Sequence, residues 1–138
     1  MRLILLLAAD YANVTGDGKL NVMGVFNEVK AANFPARHPS MHLVVKLGAE
    51  LGEYGQTRQL TVHLHDPDGN GIMTVSGEIQ IPSPQGGPRP EVNAILGLRD
   101  IVFPKPGPYQ FVVLVDKDHK GDLGINVTKV EPPKPKES

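Results

Sequence analysis

Glycine and proline recur along the whole chain, 15 of one and 13 of the other in 138 residues, and this punctuation limits the fold more than any other feature. Both residues break helices and end strands, so closely spaced breakers favour many short strands over long helices. No window carries a sustained helical period. Residues 41–47 show the alternative most plainly: Met41, Leu43, Val45 and Leu47 alternate with His42, Val44 and Lys46, the period of a half-buried strand.

Eight strand-like runs can be counted on this basis, at residues 3–11, 19–27, 41–47, 59–65, 72–81, 92–103, 109–116 and 123–130. The fourth and fifth flank the turn-forming Asp66-Pro67-Asp68-Gly69-Asn70-Gly71 and read as a hairpin. A register opposing Val62 to Val75, Leu64 to Met73 and His65 to Ile72 puts the apolar residues on one side. In the sixth run the apolar parity changes between Leu98 and Ile101, which predicts a bulge at Arg99-Asp100. One helical turn fits at 28–33 or 49–54, and 33–39 reads as irregular. Residues 82–90 read as a long exposed loop, and 131–138 as a disordered or polyproline tail. The expectation is an all-β domain over 1–130, built as an antiparallel two-sheet β-sandwich, with a barrel as the competing closure.

Composition narrows the functional classes. With 14 basic and 15 acidic residues the net charge is -1, and no basic stripe is present to neutralise phosphates, which disfavours nucleic acid. The absence of cysteine removes thiol chemistry, disulfides and every Cys-containing metal motif. The leading Met1-Arg2-Leu3-Ile4-Leu5-Leu6-Leu7-Ala8-Ala9-Asp10 has the look of a signal peptide, but its apolar run is short, ends in Asp10 and is too short to span a bilayer. It reads as a first strand of a cytoplasmic protein, with a secreted or lipoprotein origin as the alternative.

Three resemblances attach to particular residues. The run Ile101-Val102-Phe103-Pro104-Lys105-Pro106-Gly107-Pro108-Tyr109-Gln110-Phe111 resembles the strand, turn, tyrosine and strand of immunoglobulin-like folds. That resemblance implies a Tyr109 hydroxyl bonded back across the turn, and no activity. Ala8-Ala9-Asp10-Tyr11-Ala12, Gly18-Lys19-Leu20-Asn21-Val22-Met23-Gly24-Val25-Phe26 and Phe34-Pro35-Ala36-Arg37-His38-Pro39 together resemble an uncharacterised bacterial family of small all-β proteins; no functional residue carries over from it. Asp116-Lys117-Asp118-His119-Lys120-Gly121-Asp122 looks like the third loop of C2 domains, sandwiches that hold calcium between loops at one end.

Candidate chemistry is sparse. Asp66, Asp68 and Asn70 match the first half of a calcium loop, yet Gly77 stands where an EF-hand needs its bidentate glutamate. If the two acidic turns shared one end of the fold, Asp66, Asp68, Asn70, Asp116, Asp118 and Asp122 could hold calcium; a solvated hairpin is the plainer reading of each. His63 and His65, two apart on a strand, emerge on one face and could begin a metal site, but further ligands are not evident nearby. His38, His42 and His119 are scattered, and pairing of Asp10, Asp100 or Glu28 is not legible. Phosphate loops, nucleophile elbows and His-Glu-x-x-His are missing. A small metal-dependent enzyme is thus a weaker alternative.

The more physical lead is a pair of strands apolar on both sides. Leu3, Leu5, Leu7 and Ala9 alternate with Ile4, Leu6 and Ala8, and Tyr109, Phe111, Val113 and Val115 alternate with Val112 and Leu114. The outer face of a sandwich is normally wetted, so such strands need a cover from a loop or another subunit. The expectation is a non-enzymatic binding or assembly module, needing no cofactor, that associates with itself or another protein through Ile4, Leu6, Leu7, Val112 and Leu114.

Overall fold

A computed structural model describes residues 1–84 and 86–131; the expected polyproline tail lies mostly outside the described residues. Nine strands occur among them: β1 (Arg2–Val14), β2 (Leu20–Phe26), β3 (Glu28–Ala31), β4 (Ala36–Gly48), β5 (Thr57–His65), β6 (Gly71–Gln80), β7 (Glu91–Phe103), β8 (Gly107–Val115) and β9 (Asp118–Lys129). No helix is present among the described residues, so the all-β expectation holds. They form a four-stranded sheet in the order β2-β1-β4-β7 and a five-stranded sheet in the order β3-β9-β8-β5-β6. The second sheet curls into half a barrel.

Alternation decides which residues meet between the sheets. Met41, Leu43, Val45 and Leu47 of β4 pack with Leu60, Val62 and Leu64 of β5, Phe111 and Val113 of β8, and Ile125 of β9 in one core. Burying such side chains contributes about 1.5–3 kcal/mol each, which is what fixes strand register. On one flank, strand β9 comes so close to β1 that a side chain at Gly121 would collide with Leu3.

The hairpin register is largely as the sequence predicts: Val62 opposes Val75 and Leu64 opposes Met73. The last pair differs, because a bulge at Leu64/His65 sets His65 opposite Gly71 rather than Ile72. The hydroxyl of Tyr109 donates to the Lys105 carbonyl at 2.7 Å and accepts from the Lys105 amide at 3.2 Å, as the turn resemblance implies.

Three expectations are corrected. The helical turn proposed at 28–33 is strand β3, which pairs with β9 in parallel and makes the count nine rather than eight, with one non-antiparallel pair. Residues 36–39 belong to β4 although Pro39 lacks a backbone donor. The parity change in β7 is real but inserts no residue: β4 and β7 hold an unbroken register from Ala36 opposite Phe103 to Gly48 opposite Glu91. Instead Asp100 adopts φ 55, and the exposed Arg99 and Asp100 run alongside the exposed Pro39 and Ser40 of the neighbouring strand.

Candidate functional site

The outer face of the four-stranded sheet is set by one irregularity. Leu3 pairs with Leu47, but Leu5 pairs with Lys46, leaving Ile4 as an extra residue in β1. A bulge of this kind reverses parity for everything after it. Leu6 and Ala8 therefore stand opposite the core residues Val45 and Leu43, while Leu5, Leu7 and Ala9 point away from the core.

Register then lays apolar rows across this outer face. Leu7 opposes Val44, and Val44 opposes Ile95. Ala9 stands between Val25 and His42, and Tyr11 opposes Met23. None of Leu5, Leu7, Val44 or Ile95 joins the core between the sheets. Val44 is nonetheless 0% exposed, whereas Met23 and Val25 on the edge strand remain 66% and 61% exposed. This face is thus largely apolar although it lies away from the protein's own core.

Polar groups frame the rows. Tyr11 meets His42 edge-on with ring centroids 5.2 Å apart, and His42 Nδ1 lies 3.3 Å from the Asp10 carbonyl oxygen. Toward the other end, Lys46 pairs with Glu91 at 3.1 Å, and Glu50 lies within salt-bridge reach of Arg89 at 3.3 Å and Arg2 at 3.7 Å. These exposed pairs contribute little to stability but define the rim.

The five residues expected to form one interface do not lie together. Ile4 and Leu7 are on the outer face just described, but Leu6 packs against the core. Val112 and Leu114 belong to β8 in the other sheet and face outward there. Val112 sits between His63 and Asp122, and Leu114 between Thr61 and His119, so each is flanked by polar neighbours of its own sheet and is half-buried.

The two acidic turns are likewise apart. Asp66 follows His65, which pairs with Gln110, whereas Asp116 follows Val115, which pairs with Leu60. They cap opposite ends of the β5–β8 pair, separated by roughly 20 Å of strand, so a calcium ion shared between them has no geometric basis. Each carboxylate has local work. Asp66 Oδ1 accepts from the amides of Asp68 (2.9 Å) and Asn70 (2.8 Å), and the Asn70 bond first of all pulls its pKa below the ordinary 3.8. Asp68 pairs with Lys105. Asp116 accepts from the Gln59 amide at 2.9 Å and from Arg58 at 3.0 Å. Asp118 pairs with Lys120 at 2.9 Å and Asp122 with His119 at 2.6 Å.

His63 and His65 do share a face, their rings stacked with centroids 6.1 Å apart. His63 Nδ1 is within 2.8 Å of the Thr74 hydroxyl. Among the described residues no group of three or more His, Cys, Asp or Glu side chains is placed to hold a metal. Asp10, Asp100 and Glu28 lie on β1, β7 and β3, and Asp100 is taken by Arg37, whose Nε donates to it at 2.9 Å. His38 lies against Phe26 at 5.7 Å.

Sequence reasoning missed Tyr11, Met23, Val25, Val44 and Ile95. Each sits in a strand whose other side faces the core, and only the order of strands shows that their outward sides adjoin.

The fold and this face define a class: an all-β protein of two sheets around one core, with an apolar sheet surface turned outward. The chain belongs to the family of unknown function DUF6941, which it matches over residues 4–128, nearly the whole span of β1 to β9. The match agrees with the resemblance to an uncharacterised family. None of the curated proteins compared with it matches. No helix among the described residues is long and apolar enough to cross a membrane.

Proposed function

We propose that this chain is a non-enzymatic binding or assembly module, cytoplasmic and of bacterial type, that associates with itself through the outer face of β2-β1-β4-β7. The observation that carries the reading is the adjacency of Met23 and Val25, 66% and 61% exposed, to the aliphatic row Leu7, Val44, Ile95. At roughly 25 cal/mol per Å2 of apolar surface removed from water, covering this face supplies on the order of several kcal/mol, enough to drive association. Behind it, an immunoglobulin-like sandwich is the fold reading favoured by the single core between the sheets and by the Tyr109 hydroxyl at the β7–β8 turn.

Light scattering over a range of concentrations tests the proposal. The average mass should rise with concentration, and Leu7→Lys combined with Val25→Lys should hold the protein monomeric. A monomer at every concentration, indifferent to both substitutions, overturns it.

A further inference from the structure

Beside the face lies an edge, and its chemistry points to a separate contact. Among the described residues strand β7 is the last of its sheet, bonded to β4 alone. From Val92 to Leu98 it carries no charge and no proline, so it has none of the devices that normally blunt a free edge. Its inward residues Val92, Ala94 and Leu96 are only half-buried. They line a groove of about 400 Å3 between β7 and β6, the free edge of the other sheet. Two charges bracket the uncharged stretch, Glu91 before it and Arg99 after it.

We propose that β7 pairs edge to edge and antiparallel with β7 of a second copy, about a two-fold axis through Ile95. A two-fold pairing is self-complementary, and it must oppose residues that point to the same side. With Ile95 on the axis, Glu91 of each copy stands opposite Arg99 of the other, so both ends close on opposite charges. Shifting the axis to Ala94 or Leu96 sets Glu91 against Gly97 or Ile101 and leaves neither charge an opposite charge across the axis, Glu91 keeping only Lys46 of its own sheet. Charge complementarity thus selects one register. The same register opposes Ala94 to Leu96, filling small against large over the groove. It also opposes Asn93, whose carboxamide oxygen is buried without a partner, to Gly97, which has no side chain. On the outer side, the row Leu7, Val44, Ile95 continues into its own copy across the axis.

The absence of cysteine makes the test direct. Opposed residues in an antiparallel pair have Cα atoms about 4.5–5.5 Å apart, within disulfide reach. Ile95→Cys, the sole thiol, should give a covalent dimer on mild oxidation. Adding Glu91→Arg, or separately Arg99→Glu, should weaken dimer formation about tenfold by setting like charges opposite each other at both ends. Mixing those two charge variants should restore it, because each end then pairs Arg with Glu; melting temperatures check that every variant is folded. Failure to cross-link, or cross-linking that the charge variants and their mixture do not alter, overturns the edge pairing. The face-mediated reading is tested apart from this one: Leu7→Lys and Val25→Lys should leave the Ile95→Cys dimer intact, and association that they abolish while the charge variants do not touch it belongs to the face alone.

Discussion

Leu6 and Leu7 are neighbours of identical chemistry with opposite surroundings. The extra residue at Ile4 turns Leu6 toward Val45 and the core, and Leu7 toward Val44 and the outside. A lysine at each position should therefore report two different things. Leu6→Lys places an unpaired ammonium against the core and should cost about 3 kcal/mol or more, visible as a large fall in urea midpoint. Leu7→Lys has an outlet to water for its charged end and should cost less than about 1 kcal/mol. Equal losses at the two sites would mean that the bulge is not where the register puts it.

At the scale of the element, the β8–β9 turn shows how a hairpin without glycine is held. Asp116 and Lys117 take φ of 48 and 70, a two-residue turn that normally calls for Asn-Gly or Gly-Gly. The Asp116 carboxylate secures it by accepting from the Gln59 amide and from Arg58, which draws its pKa below 3.8, the Gln59 bond acting most. A carboxyl with a lowered folded value stabilises the fold above about pH 4 and loses that contribution as acid titrates it. Melting temperature should fall between about pH 5 and pH 3, and Asp116→Asn should flatten the part of that fall owed to this turn. The opposite result, a variant more acid-sensitive than the wild type, would assign the dependence elsewhere.

What could be read from the chain at this scale follows the same logic. The hairpin of β5 and β6 was legible because Val62, Leu64, Met73 and Val75 alternate around an unmistakable turn. The bulge at Ile4 was not, since it lies in an unbroken run of aliphatic residues where no polar position marks which side is wet. Strand β3 was missed because four residues are too few to establish a period. For the candidate surface, the sequence identified β1 as apolar on both sides but put Leu6 outside, and it joined β1 to β8 although they lie in different sheets. Strand order is a long-range property, and local alternation carries no information about it.

For the whole molecule, the short passage through Asn27 matters most. Strand β2 ends in one sheet at Phe26 and β3 begins in the other at Glu28, with the Asn126 amide donating to the Asn27 carbonyl at 2.8 Å. Ending the chain after Lys117 should therefore do more than shorten one sheet. It takes away the only strand that β3 pairs with among the described residues and strips Ile125 and Val127 from the core. Such a truncated chain should show no cooperative melting transition in circular dichroism; a sharp transition would show that the remaining strands close a core without β9.

Glu28 and Asn126 are neighbours in space about a hundred residues apart in sequence. Contacts of that separation form slowly because a long loop must close before they give anything back. On the ribosome, the corner where the chain changes sheets has nothing to dock against until β9 has emerged, so β3 waits without its partner while β4 to β8 are made.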